Sequence, residues 1–206
     1  MSSLRSRATS LALRIAIPTL ALATACSQPP GEPTAAVDPA VAAHGAHDRR
    51  DYPEVTQGHL NAAARVKAAT AVFRDVNAAI AAGYTVQFPA GCAALAGVGA
   101  QGFHYLNPTL AADRKLDLET PELVMYEPQQ DGSLVLVGVD YVIPFAEWKA
   151  PQPPVLLGMP MMENTALGVW ELHIWTERAN PDGLFAAWNP AVSCQYAGSA
   201  NLPTLP

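Results

Sequence analysis

Leu123-Val124-Met125-Tyr126-Glu127-Pro128 and Leu134-Val135-Leu136-Val137-Gly138-Val139-Asp140-Tyr141-Val142-Ile143 flank the short polar stretch Gln129-Gln130-Asp131-Gly132-Ser133. Two runs rich in β-branched, aliphatic and aromatic residues on either side of Asp-Gly form a hairpin signal, because Asp and Gly tolerate the positive φ of tight strand-connecting turns. The fold is therefore read outward from an antiparallel pair. Phe103–Leu106 and Val169–Glu177 have the same character and end near Asn107-Pro108 and Asn180-Pro181-Asp182-Gly183, so they read as further strands. Tyr84–Phe88 reads as a short fifth strand stopped by Pro89. Gly91–Gly102 reads as a Gly/Ala-rich loop that holds Cys92, and Pro151–Pro160 as a second loop.

Before the strands, Leu60, Ala64, Ala68, Val72, Val76, Ala79 and Ile80 recur at three- and four-residue steps between Thr56 and Ala82. That period predicts one long amphipathic helix, with Arg65, Lys67, Arg74 and Asp75 on its wet face and Gly83 as its C-terminal cap. One N-terminal helix packed on a mostly antiparallel sheet of four to five strands makes an α+β fold. The expected domain is single and covers residues 51–206.

Composition limits the function classes. Of 206 residues, 50% are apolar and 15% charged, which excludes a fully disordered chain. Nineteen prolines and fourteen glycines argue against a helical bundle. The net charge of -6 provides no basic footprint, so nucleic acid is not an expected partner. No uninterrupted apolar run reaches the eighteen or so residues a membrane-spanning helix needs.

The N-terminus carries an address. Arg5 and Arg7 precede an apolar run, Ile15 to Ala25, that ends in Ala23-Thr24-Ala25-Cys26. A basic start, a short apolar stretch and small residues at its end describe a signal peptide over residues 1–25. Cleavage before Cys26 would make that cysteine the lipidated first residue of a bacterial lipoprotein, although Ala23 stands where the lipobox usually has Leu. Ordinary cleavage would instead leave a soluble secreted or periplasmic protein. The count of three cysteines supports lipidation: acylated Cys26 leaves Cys92 and Cys194 as an even pair. Their bridge would close a loop of ~100 residues and contribute up to about 4–5 kcal/mol in the chain-entropy model; two free buried thiols are the alternative. Residues 26–50, with Pro29, Pro30, Pro33 and Pro39, read as a flexible tether to a membrane reached through the lipid on Cys26. His44 and His47 in that tether read as bland. Removing residues 1–25 takes away three arginines and no acid, which leaves nine cations against eighteen acids.

Four side chains in or at the ends of strands could carry chemistry: His104, Glu127, Asp140 and His173. Period-2 alternation gives Trp170, Leu172 and Ile174 to the core and Glu171, His173, Trp175 and Glu177 to the other face. Alternation likewise separates Val135, Val137, Val139, Tyr141 and Ile143 from Leu136, Gly138 and Asp140. One cleft face can thus collect His104, His173, Asp140 and Glu127, with Trp175 as an apolar wall and Tyr105 as a second aromatic ligand-binding candidate. Two imidazoles and a carboxylate are a ligand set for a divalent metal such as zinc or copper. They could equally serve as general acid and base on a small substrate, or be ordinary histidines of a structural module.

Three other features read as structural. Gly97-Val98-Gly99-Ala100-Gln101-Gly102 matches G-x-G-x-x-G, but aromatic, strand-like residues follow it and Pro108 blocks a helix, so no nucleotide site is expected. Met159-Pro160-Met161-Met162 offers soft thioethers for Cu(I) but reads more simply as apolar loop filler. No G-x-S-x-G elbow nominates a nucleophile.

The blocks Gly102-Phe103-His104-Tyr105-Leu106-Asn107-Pro108, Val137-Gly138-Val139-Asp140-Tyr141-Val142-Ile143-Pro144, Leu172-His173-Ile174-Trp175 and Trp188-Asn189-Pro190-Ala191-Val192-Ser193-Cys194 follow in order. Together they resemble a group of bacterial secreted proteins and lipoproteins of uncharacterised activity, over about residues 55–195. The resemblance implies that both histidine blocks and the terminal cysteine belong to one domain. It implies no activity.

Overall fold

The computed structural model describes residues 53–206. The expected signal peptide, the lipidation site Cys26 and the tether with His44 and His47 lie outside the described residues.

The fold is a mixed one of few helices and a curled, six-stranded antiparallel sheet. The single long helix expected over Thr56–Ala82 is not what forms. Instead the stretch holds α1 (Gln57–Ala69), a 3-10 turn (Ala71–Arg74) and α2 (Val76–Ala81). Local capping explains the breaks. Thr56 opens α1 with a capping box, in which His59 N donates to Thr56 Oγ1 and Thr56 N donates to His59 Nδ1. Thr70 Oγ1 donates to Val66 O at 2.8 Å, where α1 ends. Asp75, expected on a wet helical face, takes an extended backbone and caps α2 by accepting from Asn77 N at 2.9 Å. Short polar side chains that compete for backbone groups favour such ends over helix interiors.

The strand order is β1 (Val86–Leu95), β2 (Gly99–Leu106), β3 (Leu123–Pro128), β4 (Leu134–Pro144), then β8 (Val169–Ile174) and β7 (Met162–Asn164). Between β4 and β7, β5 (Val155–Leu156) and β6 (Met159–Pro160) form a separate two-stranded sheet. Gln129–Ser133 joins β3 to β4 as an antiparallel pair, as Asp131-Gly132 predicts.

Pro151–Pro160, expected as a loop, holds the short antiparallel pair β5–β6, and two segments of the first hairpin also differ from expectation. Pro89 does not stop the first strand, and most of Gly91–Gly102 is strand rather than loop: β1 runs through a cis Phe88–Pro89 bond to Leu95 and turns into β2 at Gly99. The register shifts between Gln87 and Cys92, so Pro89 lies in an irregular stretch of an edge strand, where a missing N–H is tolerated. The glycines that mimic a nucleotide motif serve this hairpin. Gly102 has φ +86, and a Cβ there would run into the Tyr126 carbonyl of β3. Pro108 also does not block a helix, since α3 (Pro108–Asp113) begins there, capped by Asn107, whose side chain accepts from Thr109 N and Leu110 N.

A bulge sets the faces of β4. Met125 pairs with Gly138 but Tyr126 pairs with Leu136, so Val137 is the extra residue. Val137 therefore packs with Met125 and Trp175, Leu134 and Leu136 join Val139 and Tyr141, and Val135 is 41% exposed. The alternation that put Val135, Val137 and Val139 on one face fails at this point.

One face of the sheet, with Phe103, Tyr105, Val124, Tyr126, Val139, Tyr141, Leu172 and Ile174, packs with Val66 of α1, Ala79 of α2 and Phe185 into the main core. The opposite face is also covered. Trp175 Nε1 donates to Ala186 O, Gln101 Nε2 donates to Ala187 O, and Asn189 bridges Ala100, so the segment after β8 lies along the sheet. Val192 packs into the cluster of Met125 and Trp175. Cys92 and Cys194 stand at disulfide distance, Cα atoms 5.8 Å apart and 102 residues apart in sequence, and tie the end of that segment to β1.

Candidate metal centre

Three strands of this second face each supply one polar side chain: His104 from β2, Asp140 from β4 and His173 from β8. Asp140 and His173 are direct register partners across the β4–β8 pair. His104 pairs with Met125, which pairs in turn with Gly138, so β3 intervenes between His104 and β4. At Gly138 the strands pack closely: a Cβ there would meet the Ile174 carbonyl and Met125 Cε, so only glycine fits between them.

One candidate ligand atom from each of His104, Asp140 and His173 lies within 4.8 Å of the other two, so this group could hold a metal ion. His173 Nε2 is 3.7 Å from Asp140 Oδ2. The imidazole rings are 6.0 Å apart at 82°, and Trp175 stacks on His173 at 6.3 Å and 13°. Trp175 thus stands beside the group. The cleft expected around these residues is absent: His104, Asp140 and His173 are 2%, 3% and 1% exposed.

Burial sets the electrostatics. Glu122, Glu127, Asp140 and Glu171 are all buried, and no Lys or Arg is buried among the described residues. An ionised carboxylate in such surroundings is costly unless a cation or several donors compensate it. Burial pushes the Asp140 carboxyl well above its ordinary range, and the nearby Glu171 and Glu122 push it further, against the lowering effect of the Leu172 and Tyr141 amides. Asp140 Oδ1 is buried and meets no hydrogen-bond partner among the described residues. Glu122 is pushed up to about 8, mainly by burial, although Val142 N donates to its Oε2 at 3.3 Å.

The other expected site residues stand apart. Glu127 is clasped by Arg178 Nη2 and accepts from Ser193 N at 2.9 Å, so it secures the covering segment and is not part of the group. Tyr105 projects from the opposite face into the main core, where its hydroxyl accepts from Gln87 Nε2 at 3.3 Å. Met159 and Met161 are buried in that same core, which suits their reading as filler. Glu177 pairs with Lys67 and Arg74 at the surface of the helical layer.

Sequence reading missed the buried pair Glu171 and Asn164, joined by a 2.9 Å hydrogen bond. Alternation does put Glu171 on the His173 face. That signal was available, but a glutamate opposite core residues reads as solvated. Asn164 carries no sequence signal.

No protein-family model matches this chain, and neither a curated protein nor a solved structure is significantly similar to it.

Proposed function

We propose that the domain is a metal-binding protein of the bacterial cell envelope that holds one divalent ion on His104, Asp140 and His173. The observation that carries the reading is the convergence of three ligand-type side chains from three strands in an interior without a buried Lys or Arg. A tetrahedral zinc site with bonds of ~2.0–2.1 Å needs donor atoms ~3.3 Å apart. The donors lie within 4.8 Å of one another, so binding would have to draw them together by rotation about their side-chain bonds. Two imidazoles and a carboxylate suit zinc or Cu(II), and Asp140 Oδ1 supplies a buried acceptor for the ion. Three protein ligands leave a fourth position open. Their burial favours an ion held in place over a substrate turned over, since acid–base chemistry by His104 and His173 would need the substrate to reach them.

A metal-free reading has one observation in its favour: the Asp140 carboxyl, raised by burial and acidic neighbours, can sit neutral beside the imidazoles. Export on a lipid anchor at Cys26 is supported by the pattern of residues 1–26 and by the Cys92–Cys194 pair, which suits an oxidising compartment.

Elemental analysis of the untagged protein released from the envelope tests the metal reading. About one zinc or copper per chain, lost in both His104→Ala and Asp140→Asn, is the expected result. Absence of metal, even after incubation with a panel of divalent ions, would overturn it. Mass spectrometry of the mature N-terminus tests the anchor: an acylated Cys26 is expected, and an unmodified one would contradict it.

A further inference from the structure

Glu171 lies outside the three-residue group but shares its face. It precedes His173 by two positions on β8, so both side chains project to the same side of the sheet. Its register partner on β4 is Val142, two residues beyond Asp140. Glu171 and Asp140 are therefore diagonal cross-strand neighbours, about 7–8 Å apart and within reach of long side chains. Glu171 is 3% exposed. On its other side it pairs with Met162 of β7, and Asn164 at the end of β7 donates from Nδ2 to Glu171 Oε2.

Asn164 is itself fixed. Its Oδ1 accepts from Leu167 N at 3.1 Å and its carbonyl accepts from Gly168 N at 2.9 Å, which closes the turn between β7 and β8. The hairpin thus orients a buried carboxylate beside the metal group. Outer carboxylates of this kind orient the ligands of metal centres and tune their affinity.

We infer that Glu171, oriented by Asn164, is the outer carboxylate of this centre and makes it selective for a divalent over a monovalent ion. The inference rests on the reading of His104, Asp140 and His173 as ligands and adds the charge class of the ion. Two neutral imidazoles with two carboxylates carry a charge of two minus, which a divalent ion neutralises. A monovalent ion such as Cu(I) or Ag(I) would leave an uncompensated negative charge in the interior.

Chelator-competition titrations of the full chain with Zn(II) and, separately, Ag(I) as a redox-inert monovalent probe test the inference, with far-UV circular dichroism to confirm folding. Glu171→Gln is expected to keep one zinc per chain but to bind it about 10–100-fold more weakly. Silver affinity should hold or rise, so that discrimination between the ions falls at least as much. Asn164→Ala, which keeps the carboxylate but frees it, should shift both affinities in the same sense by a smaller factor, and it provides the test if Glu171→Gln does not fold. Unchanged zinc affinity in Glu171→Gln, or an equal loss for zinc and silver, would overturn this inference while a zinc-loaded wild type and a metal-free Asp140→Asn leave the ligand reading standing. A wild type that binds no zinc removes both.

Discussion

The two faces of one sheet are both buried, yet they are built from opposite chemistries. The face towards the helices is apolar, and three of the tyrosine hydroxyls around it are spent on backbone carbonyls: Tyr84 on Pro121, Tyr126 on Phe73 and Tyr141 on Leu118. The face under the C-terminal segment carries His104, Asp140, Glu171 and His173 with no buried Lys or Arg beside them. Hydrophobic burial and ordinary hydrogen bonds account for the first face. The second holds buried carboxylates and imidazoles with no buried Lys or Arg among the described residues, a group that could hold a metal ion.

The faces should respond differently to perturbation. Leu172→Ala, in the apolar core, should cost about 2–5 kcal/mol of stability in denaturant titrations, equally with zinc and with chelator. A cost that appears only with zinc would mean that the two faces are energetically one. Replacing Cys92 and Cys194 by Ala removes the tie that closes the cover over the polar face. It should cost about 2–4 kcal/mol and raise hydrogen exchange in residues 187–196 more than in α1. Uniform exchange would show a general staple and no special cover.

Metal removal should act on the polar face alone. At a free zinc concentration of about 100 times Kd, binding contributes about 2.7 kcal/mol. Chelation should therefore lower Tm for the wild type and leave Asp140→Asn unchanged; an equal shift in both would place the ion elsewhere.

The smallest effect per step is a pH slope from Glu122. Its carboxyl, raised from 4.5 to about 8 by burial, holds a proton in the folded state that the unfolded chain has already lost. Between those values the folded state binds more protons, so stability falls as pH rises, by at most about 1.4 kcal/mol per pH unit. Glu122→Gln should flatten that fall between about pH 4.5 and 8. An unchanged slope would assign the pH dependence to other groups.

Different parts of this molecule were legible to different degrees. Asp131-Gly132 announces the β3–β4 hairpin because its turn chemistry is local. Alternation also places His104, Asp140 and His173 on a common face, since period 2 holds within each short strand. The same rule breaks at the Val137 bulge, which shifts the side chains before it to the other face without a composition signal. The helix breaks at Thr70 and Asp75 are set by side chains that cap as readily as they tolerate a helical wet face. Burial of the polar face was not legible, because its cover, from Ala186 to Cys194, is irregular chain with no periodicity to read. For the same reason Glu127 looked like a ligand. Its partners are the Ser193 amide, on that cover, and Arg178, in the irregular chain that leads to it.

The most direct test of a cation on the polar face is anomalous scattering from crystals of the zinc-loaded, oxidised protein, measured at the zinc edge. One peak is expected, ~2.0–2.2 Å from one atom each of His104, Asp140 and His173. A zinc-loaded crystal with no peak among these side chains, or with its peak elsewhere, would contradict it.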